Sequence, residues 1–435
     1  MDRFGKEEIS CFSPAKFESP LGRLHEEARA AFVEDDRSIL AEDLTSQSFL
    51  SRSEKIPLSF EIAGPRRKLF FDPSRTTAAI VTCGGLCPGL NDIIRGLFIT
   101  LYYTYGVRTI LGVRYGYRGF VEENSIFKLT PEIVSEIKSL GGTILGSSRG
   151  PQKPEKIVDS LVRHSVNMLF VVGGDGTMRG ARDIVAEITK RGLCISVVGL
   201  PKTINNDFVY MDKSFGFETA YAEAVRVIRC AHSEAKGAYN GIGLVKLMGR
   251  ESGFIAVHSA LAEVCVNFVL VPEVPFRLQG AQGLFRCLEK RLAAHGHAVI
   301  VVAEGAGQDL MANDRRNKDA SGNIRLGDIG LFLKREIDGY FASIGTEVNL
   351  RYIDPSYVIR SVPANAQDEI FCTRLAQNAV HAAMAGKTDL VVGRWHEHFI
   401  HLPMPMAVVG RSHVDPHGDL WLSVLQSTGQ PPLLC

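Results

Sequence analysis

The chain has 435 residues, 45% hydrophobic and 22% charged, an ordinary globular balance that excludes overall disorder and leaves room for two or three domains at roughly 150 residues each. Its 49 Lys and Arg against 48 Asp and Glu leave a net charge of +1, so a whole-surface field for nucleic acid or membrane is excluded and any anion site must be local. Nine scattered Cys, at 11, 83, 87, 194, 230, 265, 287, 372 and 435, show no paired C-x-x-C spacing, and no apolar run approaches the roughly 18 residues of a membrane span; a cytoplasmic protein with reduced thiols and no nucleic-acid or membrane partner is expected.

Residues 1–72 are rich in charge and Ser, with Pro at 14, 20, 57 and 65 and one amphipathic helix expected over 24–32; they read as an N-terminal extension packed on the body. From residue 76, short β-branched runs at 77–82, 109–113, 168–172, 195–200, 242–247, 267–271 and 298–302 alternate with helix-period segments at 92–102, 131–140, 155–164, 178–190, 220–232 and 281–294. Uninterrupted Val/Ile runs separated by helices are the pattern of parallel strands covered on both faces, and their number exceeds one ordinary sheet. The expected fold is α/β, with two doubly wound parallel-sheet lobes. Late in the chain, WHEHFIH (395–401) carries His396, His398 and His401 in a segment expected at an edge; the alternation reads as solvent-facing histidines rather than a metal set.

Ligands of such sheets bind beyond the carboxyl ends of the strands, and Gly concentrates there. The run 77–82 leads into CGGLCPGLN (83–91), 168–172 into GGDGT (173–177), 195–200 into PKTINND (201–207) and 242–247 into MGRESG (248–253). Glycine lets backbone N–H groups approach an anion, and the N-terminus of a following helix favours negative charge. Four such loops argue for a phosphate-handling cleft. In GGDGT, Gly173, Gly174, Gly176 and Thr177 make a tight strand-to-helix turn, and Asp175 is either its cap or the carboxylate that Mg²⁺ needs beside a phosphate. Asp207 is a second carboxylate of either kind. In GGTILGSSRGP (141–151), small neighbours leave Arg149 room to fork onto a phosphate or to salt-bridge at the surface. Met248, Gly249 and Arg250, then Arg351, Tyr357 and Arg360, add donors after strand-like segments, with plain surface or core positions as the alternative. Glu304 follows the run 298–303, placed to hold a sugar hydroxyl or to cap a turn.

Taken together the motifs resemble the 6-phosphofructokinase family, from about residue 60 to beyond 400. The resemblance rests on GGLCPGLN, GYRGF (116–120), GGTILGSSRG, GGDGT, PKTINND, SFGFETA (214–220), KLMGRESGFIA (246–256), AEGAGQ (303–308) and YIDPSYVIR (352–360), and the sub-pattern is similar to the long-chain ATP-type enzymes of plants and kinetoplastids. It implies transfer of the γ-phosphoryl group of ATP, with Mg²⁺, to the 1-hydroxyl of fructose 6-phosphate, in a homodimer or homotetramer. It also implies a donor lobe at 73–215 plus 360–400 and a sugar-phosphate lobe at 216–359 plus 401–435. Carried over by motif position, Gly85 and Arg149 face the transferred phosphoryl group, Asp175 the metal, and Gly173, Gly174, Gly176 and Thr177 the nucleotide phosphates. Thr203, Met248, Gly249, Arg250 and Glu304 hold the sugar, and Arg351, Tyr357 and Arg360 its 6-phosphate. An Asp at the position of Gly176 accompanies pyrophosphate use, so Gly176 favours ATP, whereas Lys202 also suits pyrophosphate, which stays as the alternative donor.

One position departs from the family pattern Thr-Ile-Asp-Asn-Asp, whose first Asp is the general base for the attacking hydroxyl. Here the segment reads Thr203, Ile204, Asn205, Asn206, Asp207. An amide keeps the shape of a carboxylate but cannot take up a proton at ordinary pH, and general-base assistance is worth on the order of 10²–10⁴-fold. The expectation is substrate binding with strongly reduced turnover, either as a substrate-trapping replacement or as a non-catalytic sugar-phosphate-binding regulatory subunit.

Overall fold

A computed structural model describes residues 8–24, 32–41, 58–311 and 325–434. Residues 25–31 of the expected 24–32 helix, residues 1–7 and 42–57 of the expected extension, and Cys435 lie outside the described residues. The described chain forms two compact units: Met1–Thr203, Phe208–Gly216 and Val362–Gly410 make the first, and Ile204–Asp207, Phe217–Ser361 and Arg411–Cys435 the second.

In chain order the first unit supplies β1 (Ser38–Leu40), β2 (Ser59–Ile62), β3 (Thr77–Thr82), β4 (Thr109–Val113), β5 (Ile126–Lys128), β6 (Met168–Gly173) and β7 (Ser196–Pro201). The second unit supplies β8 (Gly241–Leu247), β9 (Phe268–Leu270), β10 (His297–Ala303) and β11 (Asn349–Ile353), after which β12 (Leu390–Trp395) and β13 (His398–Pro403) belong to the first again. The larger sheet has the order β1-β2-β13-β12-β7-β6-β3-β4-β5. Its central pairs, from β12 through β7, β6 and β3 to β4, are parallel, and antiparallel strands close both edges.

The reason is legible in the side chains. Strands β6 and β7 are buried at every position, so both faces need apolar residues. Alternate residues Ala79, Val81, Leu169, Val171 and Val197 pack with Ile157, Val158 and Leu161 of α2 (Pro154–Arg163) and with Met178, Ala181 and Ile184 of α3 (Asp175–Lys190). Earlier in the chain, α1 (Leu90–Ile99) packs against a long helix at Ala366–Met384, closely enough that a Cβ on Gly96 would lie 2.8 Å from that of Ala376.

The smaller sheet, β9-β10-β8-β11, is parallel throughout. Its Ile242, Leu244, Phe268, Leu270, Ile300 and Val302 share one core with Leu284, Leu288 and Leu292 of a helix at Leu284–His295 and with Leu333, Ile337 and Phe341 of another at Ile329–Ser343. The helix α4 (Phe217–Gly237) crosses β8 at a distance only glycine permits, because a Cβ on Gly241 would stand 2.0 Å from the Ala235 carbonyl oxygen.

Two expectations are corrected here. The helix expected over 131–140 is a four-residue turn at Pro131–Val134 followed by a 3₁₀ turn at Ile137–Ser139. The hydroxyls of Ser135 and Ser139 donate to the carbonyls of Glu132 and Glu136, the local competition that weakens helix interiors. Of the three histidines in WHEHFIH, His398 is exposed, but His401 is 1% exposed and does not face solvent.

His401 is buried because it has a charged partner. Its Nδ1 donates to Oε1 of Glu61 at 2.8 Å, and that carboxylate also receives Arg66 Nη2 at 2.7 Å and Lys387 Nζ at 3.0 Å. Burial raises the Glu61 carboxyl, but the bond from His401 and the charges of Lys387 and Arg66 outweigh it and hold it well below the usual carboxylate range. Nearby, the Tyr105 hydroxyl meets His381 Nδ1 at 2.8 Å, and burial, reinforced by the charge of Arg66, pushes the His381 imidazole down to about 3. An unfolded chain takes up that proton near pH 6.5, whereas the folded one does so only near 3. Stability is therefore full above about pH 6.5 and falls as pH drops towards 3. Thermal melts between pH 7 and 4 should show that decline, and His381→Gln, which keeps a partner for Tyr105 without titrating, should flatten it. An equal slope in both proteins contradicts the assignment.

Candidate active site

Strands β3, β6 and β7 lie side by side in register, Val81 against Val171 and Val172 against Leu200, so the loops that follow them emerge together. Cys83 N donates to Val172 O at 2.9 Å, and Lys202 N to Gly173 O at 2.9 Å. The loop after β3 is tied to the one carrying Arg149: Gly84 N donates to Ser148 O at 3.1 Å, and the Ser147 hydroxyl to Gly84 O at 2.6 Å.

Two cations reach this glycine loop. Lys202, only 8% exposed, donates from Nζ to Gly85 O at 2.6 Å, and a Cβ built on Gly84 would stand 3.1 Å from that ammonium. A Cβ on Gly85 would stand 3.5 Å from Arg149 Nη2. Beside them begins α3, with Gly174 as its N-cap and Asp175, Gly176 and Thr177 in its first turn. The buried Tyr117 of GYRGF fixes this end by donating its hydroxyl to Thr177 O at 2.7 Å. Backbone N–H groups at a helix start, a guanidinium and an ammonium around bare glycines are groups that can hold an anion. Gly85, Arg149, Gly173, Gly174, Asp175, Gly176, Thr177 and Lys202 all lie on these neighbouring loops.

Thr203 belongs to the same unit, its carbonyl accepting from the Ser214 hydroxyl at 2.6 Å. Asn205 and Asp207 belong to the second. Between them Asn206 takes the left-handed conformation at φ 56°, which Asn tolerates better than most residues. Asn205 is half-buried, and Asp207, 2% exposed, is paired with Arg411.

In that second unit β8 and β10 are paired neighbours, and the loops after them are laced by backbone bonds. Glu304 N donates to Leu247 O at 2.9 Å and Gly305 N to Gly249 O at 3.0 Å. Met248, Gly249 and Arg250 thus run alongside Glu304. Gly249 has φ 137°, and Gly305 is tighter still, since a Cβ there would be 1.8 Å from Arg250 O. Burial raises the Glu304 carboxyl, while the charge of Arg250 opposes it. Arg351 is exposed on β11, and a short helix at Ser356–Ser361 carries Tyr357 and Arg360, whose guanidinium stacks 4.6 Å from the ring of Tyr357.

The phosphofructokinase family model matches residues 77–383. An ATP-dependent 6-phosphofructokinase of Borreliella burgdorferi is 51% identical over 413 residues, 93% of this chain and 92% of the relative. The chain belongs to the phosphofructokinase family. A second relative, ATP-dependent 6-phosphofructokinase 7 of Arabidopsis thaliana, is 49% identical over 377 residues, 86% of this chain and 78% of its own. Among solved structures, a pyrophosphate-dependent phosphofructokinase of Marinobacter aquaeolei superposes with a TM-score of 0.66 at 18% identity, covering 81% of this chain and 91% of that one. That likeness is one of fold.

The structure of this phosphofructokinase adds two residues to those given a role from the motifs. Lys246, near the end of β8, bridges Asp328 and Asp354 at 2.9 Å each. Burial lowers its ammonium, but the bonds to Asp328 and Asp354 outweigh that and raise it. It thereby anchors the turn that leads into Tyr357 and Arg360. A lysine inside an otherwise apolar strand is the signal that marks it. Arg411, the partner of Asp207, lies past the end of the family match. No helix among the described residues is long and apolar enough to cross a membrane.

Proposed function

We propose that this phosphofructokinase binds MgATP and fructose 6-phosphate and transfers the γ-phosphoryl group to the sugar 1-hydroxyl, giving fructose 1,6-bisphosphate, with turnover held down by Asn205. The observation that carries the reading is the meeting of Lys202 and Arg149 on the Gly84–Gly85 backbone beside the start of α3. Phosphoryl transfer depends mainly on positioning and charge neutralisation, and these groups supply both for a polyphosphate. Gly85 and Arg149 face the transferred group, Gly173, Gly174, Gly176 and Thr177 the nucleotide phosphates, and Lys202 the bridging oxygens.

Asp175 fits the magnesium ion that a nucleotide brings. Among the described residues no three His, Cys, Asp or Glu side chains converge as a metal set, and magnesium held with phosphates needs only one or two carboxylates. When bound it neutralises charge on the transferring oxygens. The lobe 73–215 plus 360–400 takes the donor and the lobe 216–359 plus 401–435 the sugar. Thr203, Met248, Gly249, Arg250 and Glu304 orient the hydroxyls, and Arg351, Tyr357 and Arg360 hold the 6-phosphate. The protein acts in the cytoplasm as a homodimer or homotetramer.

ATP is the donor best supported, because both close relatives are named ATP-dependent. A Cβ on Gly176 would meet nothing within 4 Å, so Gly176→Asp should fold normally while its carboxylate repels nucleotide phosphates. We expect ATP affinity to fall about tenfold or more with an unchanged melting temperature; equal ATP affinity in the two proteins contradicts the donor site. The reading as a whole is tested on Asn205→Asp protein supplied with ATP or pyrophosphate. Faster turnover with ATP is expected, and a preference for pyrophosphate overturns the donor assignment. Asn205 also favours a second reading, a sugar-phosphate-binding regulatory subunit, which predicts that Asn205→Asp binds both ligands yet stays inactive.

A further inference from the structure

Residues 411–414 lie beyond the family match, which ends at 383, yet they bond to two of the segments that carry candidate sugar-site residues of the second unit. Arg411 Nη1 pairs with Asp207 Oδ2, and its Nε lies 3.0 Å from Glu251 Oε2. Ser412 N donates to Asp207 O at 2.9 Å, and His413 Nδ1 to Glu251 O at 2.8 Å. Val414 N donates to Oε1 of Glu273 at 2.9 Å, and the same oxygen receives Gly253 N, also at 2.9 Å. The segment is a strap across 204–207, which carries Asn205, and 248–253, which carries Gly249 and Arg250.

From this geometry we infer that Arg411 is a positioning residue for the sugar-phosphate acceptor. Its guanidinium holds two carboxylates, one on each loop, from two separate nitrogens, Nη1 and Nε, a spacing that one ammonium on a different stem does not reproduce. The Asp207 end matters more. That carboxylate is almost fully buried, so its bond is little screened, whereas Glu251 is half exposed. Arg411 touches no substrate in this account; it sets where Asn205 stands relative to Gly249 and Arg250. The inference rests on the sugar site proposed above.

The test is calorimetric titration of fructose 6-phosphate and, separately, of ATP into the unaltered chain, Arg411→Met and Arg411→Lys. A sugar or phosphate oxygen whose donor is displaced is left unpaired, which costs on the order of 10- to 100-fold in affinity. Arg411→Met is therefore expected to weaken fructose 6-phosphate binding by about tenfold or more, with ATP affinity changed less than about twofold and Arg411→Lys intermediate. Adding Asp207→Asn to Arg411→Met should cost little more, because both act through one bond. If Arg411→Met fails to fold, Arg411→Lys decides: weaker sugar binding at an unchanged melting temperature supports the strap, and unaltered binding overturns it. Equal losses for both ligands also overturn it, since they indicate general damage. Failure of the unaltered chain to bind fructose 6-phosphate instead defeats the functional reading, a distinguishable result.

Discussion

Asn205→Asp is expected to raise kcat by about 10²- to 10⁴-fold, the usual worth of a general base, with fructose 6-phosphate affinity changed by less than about threefold. The two side chains have nearly the same volume, so the turn made by Asn205 and the left-handed Asn206 accommodates either. The difference is chemical. As the sugar hydroxyl attacks phosphorus its proton must leave, and a carboxylate accepts it while an amide cannot. Every other residue that the proposed reaction uses is the same in both proteins. The restored rate should fall in acid as the new carboxylate is protonated. Asn206→Asp is the control: it adds equal charge one residue away, in a conformation Asp also adopts, and should not restore turnover. A gain below about tenfold for Asn205→Asp removes Asn205 as the missing base.

The second large effect is structural. Glu61→Gln should destabilise the first unit by about 3–5 kcal/mol, the cost of leaving buried charge uncompensated. Glu61 is the carboxylate on which Arg66, Lys387 and His401 converge, and the other acid of the cluster, Asp35, has a side chain 71% exposed. Removing the negative charge leaves two cations nearly free of water with a screened partner. Combining Glu61→Leu with Lys387→Met removes one charge of each sign, and should cost less than Glu61→Leu alone. Denaturant unfolding reads both. A loss below about 1 kcal/mol for Glu61→Gln, the range of an exposed pair, contradicts a buried network.

The same cluster shows where the sequence stops being informative. Strands β3, β6, β7, β8 and β10 are legible because both of their faces are buried, so they read as apolar runs without help from other segments. The hairpin of β12 and β13 is not. Its histidines look solvated until His401 is matched with Glu61, a partner 340 positions away. The short strands β1 and β2 fail for the same reason, being half polar. In the site, the glycine loops are legible because phosphate binding uses local backbone. That Lys202 aims at Gly85 depends on the register of three strands, which no local pattern encodes. Lys246 and Arg411 are further cases: their carboxylate partners Asp328 and Asp207 lie 82 and 204 positions away.

The central claim is that the chain gathers a sugar phosphate and MgATP but lacks a proton acceptor between them. One isothermal titration of fructose 6-phosphate into the unaltered chain with MgATP present reads both halves of that claim, because binding gives saturating heat and turnover gives sustained heat flow. The account predicts saturation at one site per chain with sustained heat flow no more than about one hundredth of that given by Asn205→Asp. Absence of saturable heat, or sustained flow equal to that of the Asp protein, contradicts it.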